Sequence, residues 1–206
     1  MDITIRPSTS SGRSSKVKSA SKAKKSHFRK NFGNLPFSVR PTDIGELSLS
    51  WSTQIEDLDL HHILPLVFSG LQELQDPYQS AATEAVFELL EAAGPKVNAV
   101  IPQLIQPIKS AINSKNNSVI RNVLRAVQEL INCDPGAVTC LSQHYRHFLP
   151  QFNIIRGKRA KNAEAEQLAR YADETLELLE IHGGEDSYEL IKKMVPSYRS
   201  CMQPEF

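Results

Sequence analysis

The chain has 206 residues, of which 40% are hydrophobic and 23% are charged, a composition typical of a globular protein with one hydrophobic core. No apolar run approaches the roughly 18 residues that a membrane-spanning helix needs, so none is predicted. The net charge of +1 conceals an asymmetry, because residues 1–40 hold ten Lys and Arg against one acid, whereas the rest holds 14 basic and 22 acidic residues. A basic N-terminal arm therefore precedes an acidic body, an arrangement typical of proteins that bind polyanions.

The predicted arm covers residues 1–36 and is rich in Ser and Lys. Its first 26 residues contain almost no large apolar side chains, so we expect them to be extended and disordered when the arm is unbound. Phe28, Phe32 and Phe37 are expected to anchor the end of the arm, either on the body or on a partner. A connector at 37–56 follows, in which the alternation of LSLSW predicts a short β-hairpin at about 37–52.

From residue 57 to residue 206 the apolar residues recur at helical spacing, which predicts an all-α domain. Capping and turn signals at Asp76-Pro77, Gly94-Pro95, Asn116 and Asp134-Pro135 separate successive helices. The fifth helix is predicted to run unbroken through 138–152, before a polar loop at 156–166. The predicted core positions are Ile63, Leu64, Val67, Leu71, Leu74, Ala82, Val86, Leu89, Leu90, Ala93, Val97, Ile101, Leu104, Ile105, Ile108, Ile112, Val119, Val123, Val127, Leu130, Ile131, Val138, Leu141, Tyr145, Phe148, Leu149, Phe152, Leu168, Tyr171, Thr175, Leu178 and Leu179.

The predicted helices recur as pairs. An aliphatic-Pro step appears at 64–65, 101–102 and 149–150, and each step precedes a second helix that contains FELLEAA, VQELINC or LELLEIH. The steps are 37 and 48 residues apart, close to the spacing of HEAT and armadillo repeats. We therefore predict a HEAT/armadillo-like array of about three helical pairs plus a C-terminal helix, in which each pair buries its apolar stripe against its neighbours.

Two adjacent histidines, His61 and His62, stand where the first helix begins. Neighbouring side chains on a helix point about 100° apart, so one metal ion cannot readily use both, and no third ligand stands nearby. We expect them to mark a helix start, which Asp57 and Asp59 just upstream suit as capping residues, rather than to form a metal or acid/base pair. Glu174, Glu177 and Glu180 are expected to line a solvated helix face, and no basic stripe is evident along the helices of the body.

Motifs of catalysis are not found: the sequence contains no GxSxG, P-loop, GxGxxG or CxxC pattern. The three cysteines fit neither a disulfide framework nor a zinc knuckle, and Cys133 and Cys140 are expected to fill gaps in the core. We therefore predict no catalytic residue, no metal site and no cofactor, and we do not expect an enzyme. A second basic cluster, which either contacts an anionic partner or is merely solvated, consists of Arg156, Lys158, Arg159 and Lys161.

Four long stretches resemble the parkin co-regulated protein family. They are IEDLDLHHILPLVFSGLQEL, DPYQSAATEAVFELLE, VIPQLIQPIKSAIN and HGGEDSYELIKKMVPSYRSC. In that family an LD-x-HH-x-LP step opens the first repeat, PQLI-x-PIK marks the second, and GGE…VP-x-Y-x-SC closes the chain. The resemblance runs from about Phe28 to Cys201, while the basic arm and the 156–166 loop depart from the family pattern.

The resemblance implies a structural protein of the ciliary or flagellar axoneme, located at the inner junction where the B-tubule joins the A-tubule of a doublet microtubule. Expected partners are α/β-tubulin, a small β-rich inner junction protein and other axonemal proteins, with no membrane contact. The basic arm would then bind tubulin through Arg13, Lys16, Lys18, Lys22, Lys24, Lys25, Arg29 and Lys30. The alternative from the residues alone is a nucleic-acid-binding helical repeat that uses the same arm, although the acidic body disfavours it.

Overall fold

The computed structural model of the protein describes residues 26–42 and 47–202. This part of the chain forms ten α-helices and one two-stranded antiparallel sheet. The strands are β1 (Phe37–Pro41) and β2 (Leu47–Trp51). The helices are α1 (His27–Asn31), α2 (Leu60–Gly70), α3 (Tyr78–Ala93), α4 (Ile101–Ile112), α5 (Asn117–Cys133), α6 (Ala137–Ser142), α7 (Tyr145–Phe148), α8 (Pro150–Gly157), α9 (Ala163–His182) and α10 (Ser187–Met194). The prediction of a mostly helical protein with a short hairpin is confirmed.

The helices of the body pack in two layers. In the first layer α2 packs on α4, α4 packs on α6 and α7, and α7 packs on α8 and α10. In the second layer α3 packs on α5, and α5 packs on α9. The layers meet through α2 with α3, α4 with α5, and α8 with α9, so successive helices alternate between the layers in the first two pairs. The core lies between the layers.

Local capping chemistry sets several helix ends where the sequence predicts them. The side chain of Asp59 accepts the His61 backbone N–H and begins α2, while Asn116 accepts the Val119 N–H and begins α5. Gly94 ends α3 with a positive φ of 49°, a conformation that glycine adopts without a Cβ clash. These signals act within one turn of the chain, which is why the sequence alone could predict them.

The predicted hairpin is confirmed, with β1 and β2 paired so that Phe37 lies opposite Trp51 and Val39 lies opposite Leu49. The indole N–H of Trp51 donates a hydrogen bond to the Glu88 carboxylate on α3. The hairpin is therefore fixed to the second layer of helices by the packing of β2 on α3 and by this hydrogen bond.

The third helical unit differs from its prediction. Residues 138–152 do not form one helix but belong to three short ones, because the chain turns after Ser142 and again at Leu149. The predicted loop at 156–166 is also wrong: α8 continues to Gly157, a 3-10 turn spans Arg159–Lys161, and Asn162 caps α9. This segment is therefore ordered and packed against α9.

The aliphatic-Pro steps do not occupy equivalent positions in their helices. Pro65 lies inside α2, whereas Pro102 is the second residue of α4 and Pro150 is the first residue of α8. The second-helix motifs are better markers, since FELLEAA, VQELINC and LELLEIH all fall in the C-terminal halves of second-layer helices. Most predicted core positions are buried, but Leu74 is 56% exposed.

The end of the predicted arm is part of the folded body. Residues 1–25 lie outside the described residues, but α1 packs on α2, and Phe28 is fully buried. The boundary predicted after residue 36 therefore falls inside the packed structure, and the assignment of an extended conformation to 27–34 is wrong. None of the helices that the structure describes is long and apolar enough to cross a membrane.

Candidate functional site

The three predicted anchor residues contact the body of the protein. The Phe28 and Phe32 rings meet edge-on with centroids 5.5 Å apart, and Phe32 packs edge-on against Tyr78 of α3 at 4.7 Å. Phe37 packs against Trp51 at 5.0 Å. Of the two alternatives for these side chains, the structure shows docking onto the body.

Two of the eight basic residues predicted to bind tubulin lie in the described part of the chain. Arg29 is engaged by the body: its Nη1 donates to Gln75 Oε1 at 3.1 Å, lies 3.8 Å from Glu73 Oε2, and its guanidinium sits 4.4 Å from the Tyr78 ring centroid. Lys30 is exposed. The six that lie outside the described residues are Arg13, Lys16, Lys18, Lys22, Lys24 and Lys25.

Charge is distributed unequally between the two layers. The first-layer helices α2, α4, α6, α7, α8 and α10 contain five Lys and Arg residues but only one acid, Glu189. The second-layer helices α3, α5 and α9 contain ten acids and three Arg residues. The body is therefore acidic on average, whereas its first-layer helices carry more basic than acidic residues. The expectation that no basic stripe follows the helices stays a prediction, because α2 and α6 contain no Lys or Arg.

The centre of the basic layer is a cluster of cationic and titratable side chains where α4 meets α7. We call it the α4–α7 patch; it consists of Lys109, His144, Arg146 and His147. The His144 and His147 ring centroids are 6.1 Å apart, and Arg146 Nε lies 3.3 Å from His147 Nε2. Desolvation and the positive charges of Arg146 and Lys109 lower the pKa of His147. His147 is therefore less readily protonated than an ordinary histidine, and Lys109 and Arg146 are the permanent cations of the patch.

The second predicted basic cluster divides into a paired half and an exposed half. Arg156 Nε donates to Asp173 Oδ1 at 2.6 Å, and the Arg159 guanidinium binds the other oxygen of the same carboxylate. Both arginines thus hold α8 and the following turn onto α9. Lys158 and Lys161 are exposed, and they are the members of the cluster that remain available to a partner.

Glu180 is a buried acid, and its prediction on a solvated helix face is wrong. Its carboxylate accepts hydrogen bonds from the Tyr198 hydroxyl at 2.7 Å, the Cys201 N–H at 3.0 Å and the Ser200 hydroxyl. Burial raises its pKa, but these hydrogen bonds outweigh burial and lower the pKa below its ordinary value. Glu180 therefore fastens the segment after α10 to α9; its spacing from Glu177, close to one turn, gave no signal of this role.

The adjacent histidines stand at the start of α2, as predicted. Both side chains are exposed in the first turn, and His61 Nδ1 lies 3.1 Å from the Gln103 amide nitrogen on α4. Within residues 26–42 and 47–202, no group of three or more His, Cys, Asp or Glu side chains is placed to hold a metal ion. Cys133 and Cys140 pack partly buried against the core, as expected, and desolvation raises the pKa of Cys133 to about 11.

Residues 26–200 match the family model described as Parkin co-regulated protein. The chain belongs to this family. It is 37% identical over 190 residues to the mouse Parkin coregulated gene protein homolog, a match that covers 87% of this chain and 78% of the mouse protein. The match begins at Ser26, where α1 is capped, so the family region begins with the first residue that the structure describes.

The quoted motifs of the Parkin co-regulated family occupy distinct structural places. The step with His61 and His62 begins α2, and the PQLI-x-PIK motif forms most of α4 and supplies Lys109 to the α4–α7 patch. In the closing motif, Gly183 ends α9, and a Cβ there would lie 2.2 Å from Ser187 Oγ. The Tyr198, Ser200 and Cys201 of that motif bind Glu180. Two of these motifs are therefore structural, and one contributes to a candidate contact surface.

Proposed function

We propose that this protein is a structural microtubule-binding protein of the ciliary or flagellar axoneme, which helps to link the B-tubule to the A-tubule at the doublet inner junction. Its membership of the Parkin co-regulated family is the observation that carries the proposal. The proposed partners are α/β-tubulin, a small β-rich junction protein and other axonemal proteins. Nothing in this role requires a catalytic residue, a cofactor or a metal ion.

The distribution of charge supports this proposal. Tubulin is an acidic protein, and the first layer of helices presents Lys109, Arg146 and Lys193 as exposed cations with few acids among them. The basic residues before Ser26 add further positive charge at the N-terminal end. Attraction between exposed charges acts over about 8 Å at physiological salt, so the first layer and the arm would both contribute at close contact.

We also propose that the body is a HEAT/armadillo-like repeat array. The support is the alternation of layers, together with the packing of α5 on α9. Gln128 Nε2 donates to Tyr171 O at 3.0 Å, and Asn117 shares a small depression with Leu168, so the two helices run in the same direction. Equivalent helices of stacked pairs pack in this parallel way. Such an array offers an extended rigid face, which suits a protein that bridges two protofilaments.

Co-sedimentation with microtubules at rising salt tests the proposal. We expect the full-length protein to pellet with microtubules at physiological salt and less at higher salt. Lys109→Glu/Arg146→Glu, which reverses the charge of the α4–α7 patch, should weaken binding strongly. The matched control is Arg121→Glu/Arg125→Glu, which makes the same charge change on α5 of the second layer and should have a much smaller effect. Equal losses for both variants would contradict a role for the basic face.

The basic first layer also supports the alternative of nucleic-acid binding, and the same assay distinguishes the two. Duplex DNA or RNA is added as a competitor to the protein–microtubule mixture at a fixed physiological salt concentration, because both interactions depend on salt. We expect microtubules to retain the protein. A preference for the nucleic acid, or failure of labelled protein to decorate doublets along their length, would overturn the proposed axonemal role.

A further inference from the structure

A pocket of about 200 Å³ opens between the start of α5, the end of α8 and the start of α9. Its floor is apolar and consists of Ile120, Ile155 and Leu168, which are 5%, 5% and 7% exposed. Lys158 and Lys161 stand at its rim with the side chains exposed. The pocket thus combines an apolar floor with a cationic rim, two features that neither the core nor the α4–α7 patch explains.

The positive charge of the rim is not neutralised by the body. Lys158 and Lys161 make no ion pair with any residue in 26–42 or 47–202, whereas the neighbouring Asp173 is occupied by two arginines. The closest acid in the adjoining depression is Glu164, and Arg121 lines the same depression. The charged groups around the pocket therefore sum to a positive value and favour an anionic occupant.

The size of the pocket favours one side chain over a whole small molecule. Cofactor and drug-sized ligands occupy pockets of roughly 300–1,000 Å³, and this pocket is smaller. A carboxylate-bearing lipid would in addition need an enclosed channel for its chain. A single aromatic or aliphatic side chain from a peptide fits this volume, and the neighbouring residues of the peptide would then lie next to the rim.

We propose that this pocket binds an acidic peptide segment of a partner protein, with one apolar or aromatic side chain on the floor and flanking Asp or Glu carboxylates on Lys158 and Lys161. The first 25 residues of the chain do not fit the role, because they contain seven basic residues and one acid and would repel the rim. The site is separate from the α4–α7 patch, and the proposal does not depend on microtubule binding.

Titration of full-length protein with two synthetic peptides tests this site in the absence of microtubules. The probes are a fluorescein-labelled EEEFEEE peptide and its EEEAEEE counterpart, followed by anisotropy. Burial of a Phe side chain is expected to make the first peptide bind roughly 10- to 100-fold more tightly than the second. In protein with ¹³C-labelled Ile methyls, the Ile120 and Ile155 signals should shift on binding, whereas Ile63, on α2, should not.

Variants separate the rim from the floor. Lys158→Glu/Lys161→Glu should weaken binding of the Phe peptide at least tenfold. The control Lys96→Glu/Lys193→Glu makes the same charge change at exposed lysines elsewhere and should change the affinity less than about twofold. Ala165 also lines the pocket and is 8% exposed, so Ala165→Leu should fill part of the floor and reduce the advantage of the Phe peptide over the Ala peptide without changing charge. Equal affinity for the two peptides, unshifted Ile120 and Ile155 methyls, or equal losses in the two Lys variants would overturn the proposal. Self-association that requires Lys158 and Lys161, without peptide binding, would assign the pocket to a second copy instead.

Discussion

Glu180 offers the sharpest test of how the C-terminal segment is held. Replacement by Gln keeps the shape and one acceptor oxygen, which can still serve the Tyr198 hydroxyl and the Cys201 N–H, while the new NH₂ can donate to Ser200 Oγ. A hydrogen bond to a charged group contributes about 1.5–3 kcal/mol and a neutral one about 0.5–1.5 kcal/mol. Weakening two such bonds by about 1 kcal/mol each gives an expected loss of about 2 kcal/mol at neutral pH.

Replacement of Glu180 by Ala should cost more, because it removes the acceptor of three donors, which are the Tyr198 and Ser200 hydroxyls and the Cys201 N–H. Tyr198 is 3% exposed, so neither water nor another side chain readily replaces the carboxylate at its hydroxyl. An unsatisfied buried donor costs about 1–3 kcal/mol, so we expect a loss of about 3–5 kcal/mol once the missing Cγ methylene is included. If the carboxylate acts through hydrogen bonds, the free energy of unfolding should increase from Glu180→Ala to Glu180→Gln to the wild type.

The pH dependence follows from the sign of the pKa shift. The folded-state pKa of Glu180 is lowered, because the hydrogen bonds to its charged form outweigh desolvation. For an acid of this kind, the stabilisation is fully present above the unfolded-state pKa of about 4.5 and is lost as pH falls through the lower folded-state pKa. The difference in stability between wild type and Glu180→Gln should therefore be constant near neutral pH and shrink below about pH 4.5.

Urea denaturation followed by circular dichroism measures these differences at pH 7 and at pH 3.5. Tryptic cleavage after Arg199 reports the same fastening locally, and we expect it to accelerate in both variants. Glu177→Gln is the matched control, since Glu177 is an exposed acid on the same helix, and it should shift stability by no more than about 0.5 kcal/mol. Equal stability of Glu180→Gln and wild type at pH 7, or a difference that persists unchanged at pH 3.5, would refute the reasoning.

Three further predictions concern the body and the arm. Leu104→Ala and Leu130→Ala remove fully buried side chains from the two layers, so each should cost about 2–5 kcal/mol in urea denaturation, and full tolerance of both would contradict the core. Gly70→Ala should lower the Tm despite the better helix propensity of Ala, because its Cβ would lie 2.6 Å from Phe28 Cγ. A higher Tm would show that α1 shifts away from the new methyl group at little cost. A 26–206 fragment should fold like the full chain but pellet with microtubules less strongly and with a weaker salt dependence, and identical binding would exclude the arm as an attachment element.

The choice of residue 26 for that fragment shows what the sequence could not predict. The composition of residues 1–40 indicates one basic arm, and a fragment that begins at residue 41 would follow from it. In the structure Phe28 fills space beside Gly70, and Ser26 and Arg29 bind the buried Glu73. These contacts join residues more than 40 positions apart, so no local pattern could show them, and a 41–206 fragment would lose part of its core.

Features that depend on neighbouring residues were predicted well. The caps at Asp59 and Asn116, the presence of a hairpin within 37–52, and the end of α3 at Gly94 all follow from rules that act within a few residues. The breaks within 137–157 were not predicted, because the apolar residues there keep a helical period through both turns. The burial of Glu180 was missed for a different reason: an acid in a helix is normally solvated, and its partners follow about 20 residues later.

The candidate contact surface emerges only when the order of helices is combined with their packing. The net charge of the whole chain is nearly zero because the basic N-terminal residues offset the acidic body, and a count over residues 41–206 gives only an excess of acids. Because α3 and α9, which carry nine of the ten second-layer acids, lie in one layer while the basic residues of α4, α7, α8 and α10 lie in the other, the packing separates charge between two faces. An acidic second layer would then repel an acidic partner from one side, while Lys109 and Arg146 attract it on the other. The same segregation that strengthens one contact therefore also sets its orientation, which a uniformly basic body could not do.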